Sequence, residues 1–153
     1  LPTLKDIHSN MLHHIFQNLI ANGIKFNSHA TPEVVIDYKM GNDIVQFSIA
    51  DNGIGIAPGF EKKLFQMFQR LHTSEEFEGT GIGLAVCKKI VEFYKGTIWF
   101  ESRKGEGTTF YFTLPGNLVE TEVNRNMHSV HPGNPSTLNT HYPGDDAFII
   151  QAG

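Results

Sequence analysis

"DNGIGIAPG", residues 51–59, follows directly on the strand-like run Ile44–Ala50, so an acidic residue and two alternate glycines stand at a strand end. An ionised carboxylate accepts hydrogen bonds and cannot donate them, which suits Asp51 to an exocyclic amine such as that of adenine. Gly53 and Gly55 let the backbone approach a flat base and adopt positive φ. Taken alone, the same letters also describe an ordinary Asx-rich turn. Further on, "GTGIGL" at 79–84 opens a helical pattern. Successive backbone N–H groups at such a start form an anion site suited to phosphate. No Gly-Lys-Ser/Thr follows, so this is not a Walker loop. The polar segment before it does not read as a strand, so it is not a dinucleotide fingerprint either.

Working outward, Ser9 stands where it can cap a helix over about 10–28, with Leu12, Ile15, Phe16 and Leu19 at i, i+3, i+4 and i+7. Two strand-like runs, Glu33–Lys39 and Ile44–Ala50, flank Met40-Gly41-Asn42-Asp43, which reads as a hairpin turn. A short amphipathic helix is expected over about 60–70, and another over about 83–95 that ends at Gly96 as its C′ glycine. "TIWFES" (97–102) and "TTFYFTL" (108–114) form a second hairpin through "RKGEG". Three helices and at least four strands paired by hairpins describe an α+β two-layer sandwich, not a doubly wound parallel sheet.

The chain has 153 residues, of which 40% are hydrophobic and 11% aromatic, enough to bury a core. Residues 1–115 carry 23 of the 28 charges and 15 of the 17 aromatics. Residues 116–153 hold no lysine and many Asn, Pro, Thr and Gly, and read as an irregular, flexible C-terminal tail. The alternative for that tail is a segment whose closing apolar patch, Ala147 to Ile150, docks on something. A net charge of −4 argues against a bulk electrostatic grip on nucleic acid or an anionic membrane. The single cysteine, Cys87, excludes a disulfide framework and a cysteine zinc cluster. No run reaches the roughly 20 apolar residues that cross a bilayer, and the opening residues do not form a secretory signal.

Asn18, Asn22 and Lys25 fall at i, i+4 and i+7, on one face of the first helix beside its apolar stripe. Asparagine is a poor mid-helix residue because its side chain competes for backbone hydrogen bonds. Spacing alone also fits a solvated polar face. The chemical reading is a metal–phosphate face: an amide oxygen is a hard ligand suited to Mg²⁺, and a lysine one turn on neutralises phosphate.

These segments, in this order, resemble the boxes of sensor histidine kinases. "NLIANGIKF" is similar to the N box, "DNGIGI" to the first glycine box, "FEKKLFQMFQR" to the F box and "GTGIGLAVCKKIVE" to the second glycine box; "GEGTTFYFTLP" is similar to the closing strand. "FQRLHTSEEFEGTGIGLAVCKKIVE" looks most like the kinases attached to phytochrome-type and PAS-type sensors. The match spans residues 1–115, the extent expected of a catalytic and ATP-binding domain. It implies the Bergerat ATP fold, with a mixed, mostly antiparallel sheet packed on three helices. By position, it implies that Asn22 holds Mg²⁺ and that Asn18 contributes to the phosphate–metal face. Lys25 and Arg70 would contact phosphates, and Phe26 would line the nucleotide. Asp51 would read the adenine amine in a pocket shaped by Gly53 and Gly55. Gly79, Thr80, Gly81, Gly83 and Leu84 would cradle the triphosphate, with Thr108 near the adenine through a water. Residues from about 60 to 80 would form a lid, and Phe65 and Phe68 would pack lid to core.

Efficient ATP hydrolases of this fold place a glutamate base four residues before the metal asparagine; that position here is Asn18, and an amide takes no proton at neutral pH. This points to a kinase that protects ATP until an acceptor docks. The acceptor implied is a histidine on a separate dimerisation domain, because none of the histidines here has the acidic neighbour and nearby proline of the family's acceptor motif. A downstream response regulator and a cytoplasmic face, where ATP is, are implied as well; contact with nucleic acid or membrane is not. The rival readings are a degenerate ATP-binding or scaffold module without phosphotransfer, and a serine/threonine anti-sigma kinase of the same fold.

Overall fold

The computed structural model describes residues 3–4, 8–66, 81–120 and 148–151. Helix α1 (Ser9–Lys25) starts one residue earlier than expected: Ser9 is its first helical residue, and His8 is the N-cap without a side-chain hydrogen bond. It stops at Lys25 because Phe26 leaves helical geometry, and the Phe26 carbonyl accepts the Ile54 N–H at 3.0 Å instead of continuing the ladder. Lys25 in the last turn suits the negative end of the helix dipole.

Strands β2 (Glu33–Met40) and β3 (Ile44–Asp51) pair antiparallel across the expected turn, which Gly41 N–H closes on Ile44 O at 2.8 Å. Strands β4 (Ile98–Arg103) and β5 (Gly107–Pro115) form the second hairpin, and β5 lies antiparallel against β3. A strand at the C-terminal end, β7 (Phe148–Gln151), adds to the free edge of β2, giving the order β4-β5-β3-β2-β7. Among the described strands every pairing is antiparallel, in line with the mostly antiparallel sheet implied by the resemblance. Two-residue strands β1 (Thr3–Leu4) and β6 (Val119–Glu120) pair with each other apart from the main sheet.

Residues 148–150 of the closing apolar patch therefore dock within this chain, and Ala147 lies outside the described residues. Val34 and Val35 of β2 stand opposite Ile150 and Ile149, Ile150 packs against the core, and Gln151 Nε2 donates to Glu33 Oε2 at 2.9 Å. Of the other tail residues, Gly116–Leu118 form a single 3₁₀ turn, and 121–147 lie outside the described residues.

One face of the sheet carries the core. Phe47 of β3 and Phe112 of β5 stack at 4.9 Å, and Phe16 of α1 meets both edge-on at 5.6 and 5.5 Å. Ile15 and Leu19 of α1 and Cys87 and Val91 of α3 (Gly83–Phe93) complete it, each fully buried. The 3.6-residue stripe read in α1 is thus the face that packs. Helix α2 (Glu61–Leu64) is a single turn that ends at its C-cap Phe65, shorter than the helix expected over 60–70; residues 67–70, Phe68 among them, lie outside the described residues. Phe65 sits 6.2 and 6.4 Å from Phe100 and Phe110, the core packing expected of it.

The end of α3 differs from expectation. Tyr94 is the C-cap and Lys95, at φ 63°, takes the left-handed position assigned to Gly96. Lys95 N–H bonds Glu92 O at 3.0 Å and Gly96 N–H bonds Val91 O at 2.9 Å, the two bonds of a Schellman motif. Gly96 is needed for another reason: a methyl there would run into the Thr113 carbonyl of β5. Lys95→Gly relieves the left-handed strain and is expected to raise stability by up to about 1 kcal/mol, read as a higher urea midpoint; a midpoint unchanged or lowered contradicts this account of the helix end.

Candidate functional site

The site is built where the C-terminal half of α1 lies on the end of β3 and the start of β2, beside the start of β5. Gly23 of α1 is buried there; a methyl on it would approach Asp51 Cβ and Val34 Cγ2 to 2.9 Å each. A helix-interior glycine costs about 1 kcal/mol relative to alanine, and here it lets α1 lie directly on Asp51. Asp51 Oδ1 accepts the backbone N–H groups of Gly53 at 2.8 Å and Thr108 at 3.1 Å. Among the described residues Oδ2 has no donor, and no buried polar side-chain atom is left unpaired, so Oδ2 is open as an acceptor. Burial pushes the Asp51 carboxyl above its ordinary value, and the two backbone bonds offset only part of that rise.

The loop after β3 is held from both sides. Asn52 Oδ1 accepts Asn27 Nδ2 at 2.6 Å and Glu33 N–H at 2.9 Å, tying the loop to the exit of α1 and the start of β2. Gly53 packs on the Phe26 carbonyl, closely enough that a methyl has no room. Gly55, at φ 69°, brings the backbone against the Arg103 carbonyl of the β4–β5 hairpin, and Gly105 N–H bonds Ile54 O at 2.7 Å. Its left-handed backbone and this contact are both closed to larger residues.

On α1, Asn18 Nδ2 bonds His14 O at 2.9 Å, and its Oδ1 lies against Gly83 at the start of α3, where a methyl would overlap it. Asn18 thus joins the polar stripe of α1 to the second glycine-rich turn. Asn22 is half-buried one turn on, and its amide makes no hydrogen bond to a described residue. The Lys25 ammonium lies 4.7 Å above the Phe26 ring. Leu84 packs against the core and Gly81 stands at φ 70° before α3. Thr108 is buried, 6% exposed, beside Asp51. Arg70, Gly79 and Thr80 lie outside the described residues.

The structure thus brings together Asn18 with Gly83, and Asp51 with Gly53, Thr108 and the exit of α1. Sequence reasoning missed Gly23, Asn27, Ser102 and Gly107. The one available signal was glycine inside a helical pattern at Gly23. His8, His13, His14 and His29 are exposed, and no group of three His, Cys, Asp or Glu suited to a metal occurs among the described residues. Cys87 is sealed in the core, and burial pushes its thiol up to about 12, so it packs as an inert apolar group.

A model of the histidine kinase-, DNA gyrase B- and HSP90-like ATPase family matches residues 7–118. The chain belongs to this family. Among its relatives, cyanobacterial phytochrome A of Nostoc sp. is 54% identical over 122 residues, covering 80% of this chain and 16% of that protein. The adaptive-response sensory kinase SasA of Prochlorococcus marinus is 44% identical over 103 residues, covering 66% of this chain and 27% of that protein. The structure of full-length ShkA in complex with AMPPNP aligns with a TM-score of 0.64 at 28% identity, covering 79% of this chain and 24% of that one. The chain therefore spans less than a third of the length of these relatives. The family's fold is the α+β sandwich expected from the sequence. No described helix is long and apolar enough to cross a membrane.

Proposed function

We propose that this chain is the ATP-binding catalytic domain of a two-component sensor histidine kinase, spanning residues 1–115 with 116–153 as a C-terminal extension. It binds Mg-ATP and transfers the γ-phosphoryl group to a histidine on a separate dimerisation domain. The observation that carries this reading is Asp51 Oδ2, left without a donor beneath Gly23, on the same helix α1 whose Asn18 lies against Gly83. Membership of the family supports it, as does the likeness to ShkA, which was solved with AMPPNP.

Asp51 accepts the adenine amine, with Thr108 beside it, and Phe26, Gly53 and Gly55 frame the base. The free Asn22 amide oxygen fits Mg²⁺, which takes few protein groups and keeps waters and substrate phosphates as its other ligands. When bound, the ion neutralises phosphate oxygens. Lys25 and Arg70 would supply further positive charge, and Gly79, Thr80, Gly81, Gly83 and Leu84 would cradle the phosphates, the start of α3 being suited to an anion. The acceptor imidazole nitrogen forms a bond to the γ-phosphorus while the bond from that phosphorus to the bridging oxygen breaks and ADP leaves. Such transfer needs mainly positioning and charge neutralisation. Asn18 has no basic atom to activate water, so ATP waits for the acceptor. A response regulator then takes the phosphoryl group, on the cytoplasmic face.

Calorimetry is expected to show Mg²⁺-dependent binding of ATP and ADP with slow hydrolysis alone; absence of binding defeats the proposal. A supplied dimerisation domain is expected to gain an acid-labile phosphate. An acid-stable product selects a serine/threonine kinase, and firm binding without transfer selects a nucleotide-sensing or scaffold module.

A further inference from the structure

We propose that Ser102 sets the base selectivity of this site by fixing the direction of the Thr108 hydroxyl; this rests on the adenine reading of Asp51. Ser102, Thr108 and Asp51 face one another across three adjacent strands, in the registers Ser102↔Thr108 and Asp51↔Thr108. All three lie on the helix-covered face: Ser102 alternates with Ile98 and Phe100, Thr108 with Phe110 and Phe112, and Asp51 with Phe47 and Ile49. They form a polar row at the end of a sheet face that is otherwise apolar.

A serine hydroxyl has one proton and two lone pairs. Ser102 Oγ accepts Ile56 N–H at 2.8 Å and donates to Gly107 O at 2.9 Å. Its third partner is Thr108 Oγ1 at 2.8 Å. With its own proton on Gly107 O, Ser102 takes the Thr108 proton into its remaining lone pair. Thr108 then has only lone pairs left for a ligand. Asp51 Oδ2 offers only lone pairs as well, so the row presents acceptors side by side. A purine with an amine at its 6-position satisfies them, and a 6-carbonyl purine meets only acceptors. Without the Ser102 hydroxyl, the Thr108 proton is free to turn toward a carbonyl, and Asp51 discriminates alone. Ser102 is a positioning residue, acting through Thr108 and through the loop it holds at Ile56.

The test uses the full chain and calorimetric titration with ADP and with inosine diphosphate. The wild type is expected to prefer ADP, Ser102→Ala to lower that preference by about tenfold, the scale of one hydrogen bond, and Ser102→Thr to keep it. An unchanged preference in Ser102→Ala, or equal weakening toward both ligands, overturns the proposal, because a merely structural loss moves both alike. Should Ser102→Ala fail to fold, Thr108→Val removes the acceptor itself and is expected to lower the same ratio; an unchanged ratio overturns the proposal. A wild-type chain that binds neither nucleotide overturns the adenine reading and this inference together, and shows that before any variant is made.

Discussion

Asp51→Asn is expected to weaken ADP and ATP by about 1–3 kcal/mol, the cost of a mismatched buried polar partner. In one orientation the new amide keeps its oxygen on the Gly53 and Thr108 N–H groups and turns an NH₂ toward the adenine amine, donor against donor. Flipped, it sets the NH₂ against those two backbone donors. The folded chain should tolerate the change, because burial already disfavours the Asp51 charge. Isothermal titration beside a urea melt separates the effects, and wild-type nucleotide affinity in a folded variant refutes the assigned role. The same carboxyl predicts a pH dependence. Its pKa is raised in the folded chain, with burial the largest cause. The native protein therefore takes up this proton at higher pH than the unfolded chain does. The contribution of Asp51 to stability is present below the unfolded value and lost as pH rises through the folded one. Nucleotide affinity runs the opposite way: it falls as pH drops through the raised pKa, because a protonated carboxyl no longer offers the amine a charged acceptor. Affinity that stays level from neutral pH through that range contradicts the assignment.

Gly107→Ala is expected to cost about 2–5 kcal/mol, summing unfavourable φ and overpacking, and to remove nucleotide binding. Gly107 begins β5 at φ 106°, which a Cβ disfavours, and a methyl there would drive into the Asp51 backbone carbonyl and toward Asn52 Cα. Its own carbonyl accepts the Ser102 hydroxyl, and its successor donates to Asp51. Moving it disturbs the base end of the site as well as the strand pair. Gly105 in the same turn provides the control. It stands at φ 84° with nothing within 4 Å of a built methyl, so Gly105→Ala carries the backbone cost alone, about 1–2 kcal/mol. Equal denaturant midpoints for the two variants would show that the contact with Asp51 adds nothing.

Most elements were legible because their signals are local. The Leu12, Ile15, Phe16, Leu19 stripe, the alternation of β2 to β5 and the hairpin turn at Met40–Asp43 all depend on residues a few positions apart. Boundaries failed where a distant contact decided them. Phe26 leaves α1 because Ile54 claims its carbonyl, and Gly96 serves its close approach to Thr113 rather than the helix cap. The candidate residues were legible for the same reason: "NLIANGIKF", "DNGIGI" and "GTGIGL" each carry their chemistry in a few consecutive letters.

The sequence by itself determined the α+β class, the identities of α1, α3 and β2 to β5, and an amide in place of a base at position 18, and it singled out Asp51 as the proposed acceptor of an amine. The tertiary structure alone decided the Ser102–Thr108–Asp51 row, the lodging of Asn18 against Gly83 and the seating of β7 on β2. Thr108 and Asp51 are 57 positions apart, and their meeting depends on strand register. A slip of one residue would turn every side chain of a strand to the other face, and register is set by the whole packed face rather than by any local run of letters.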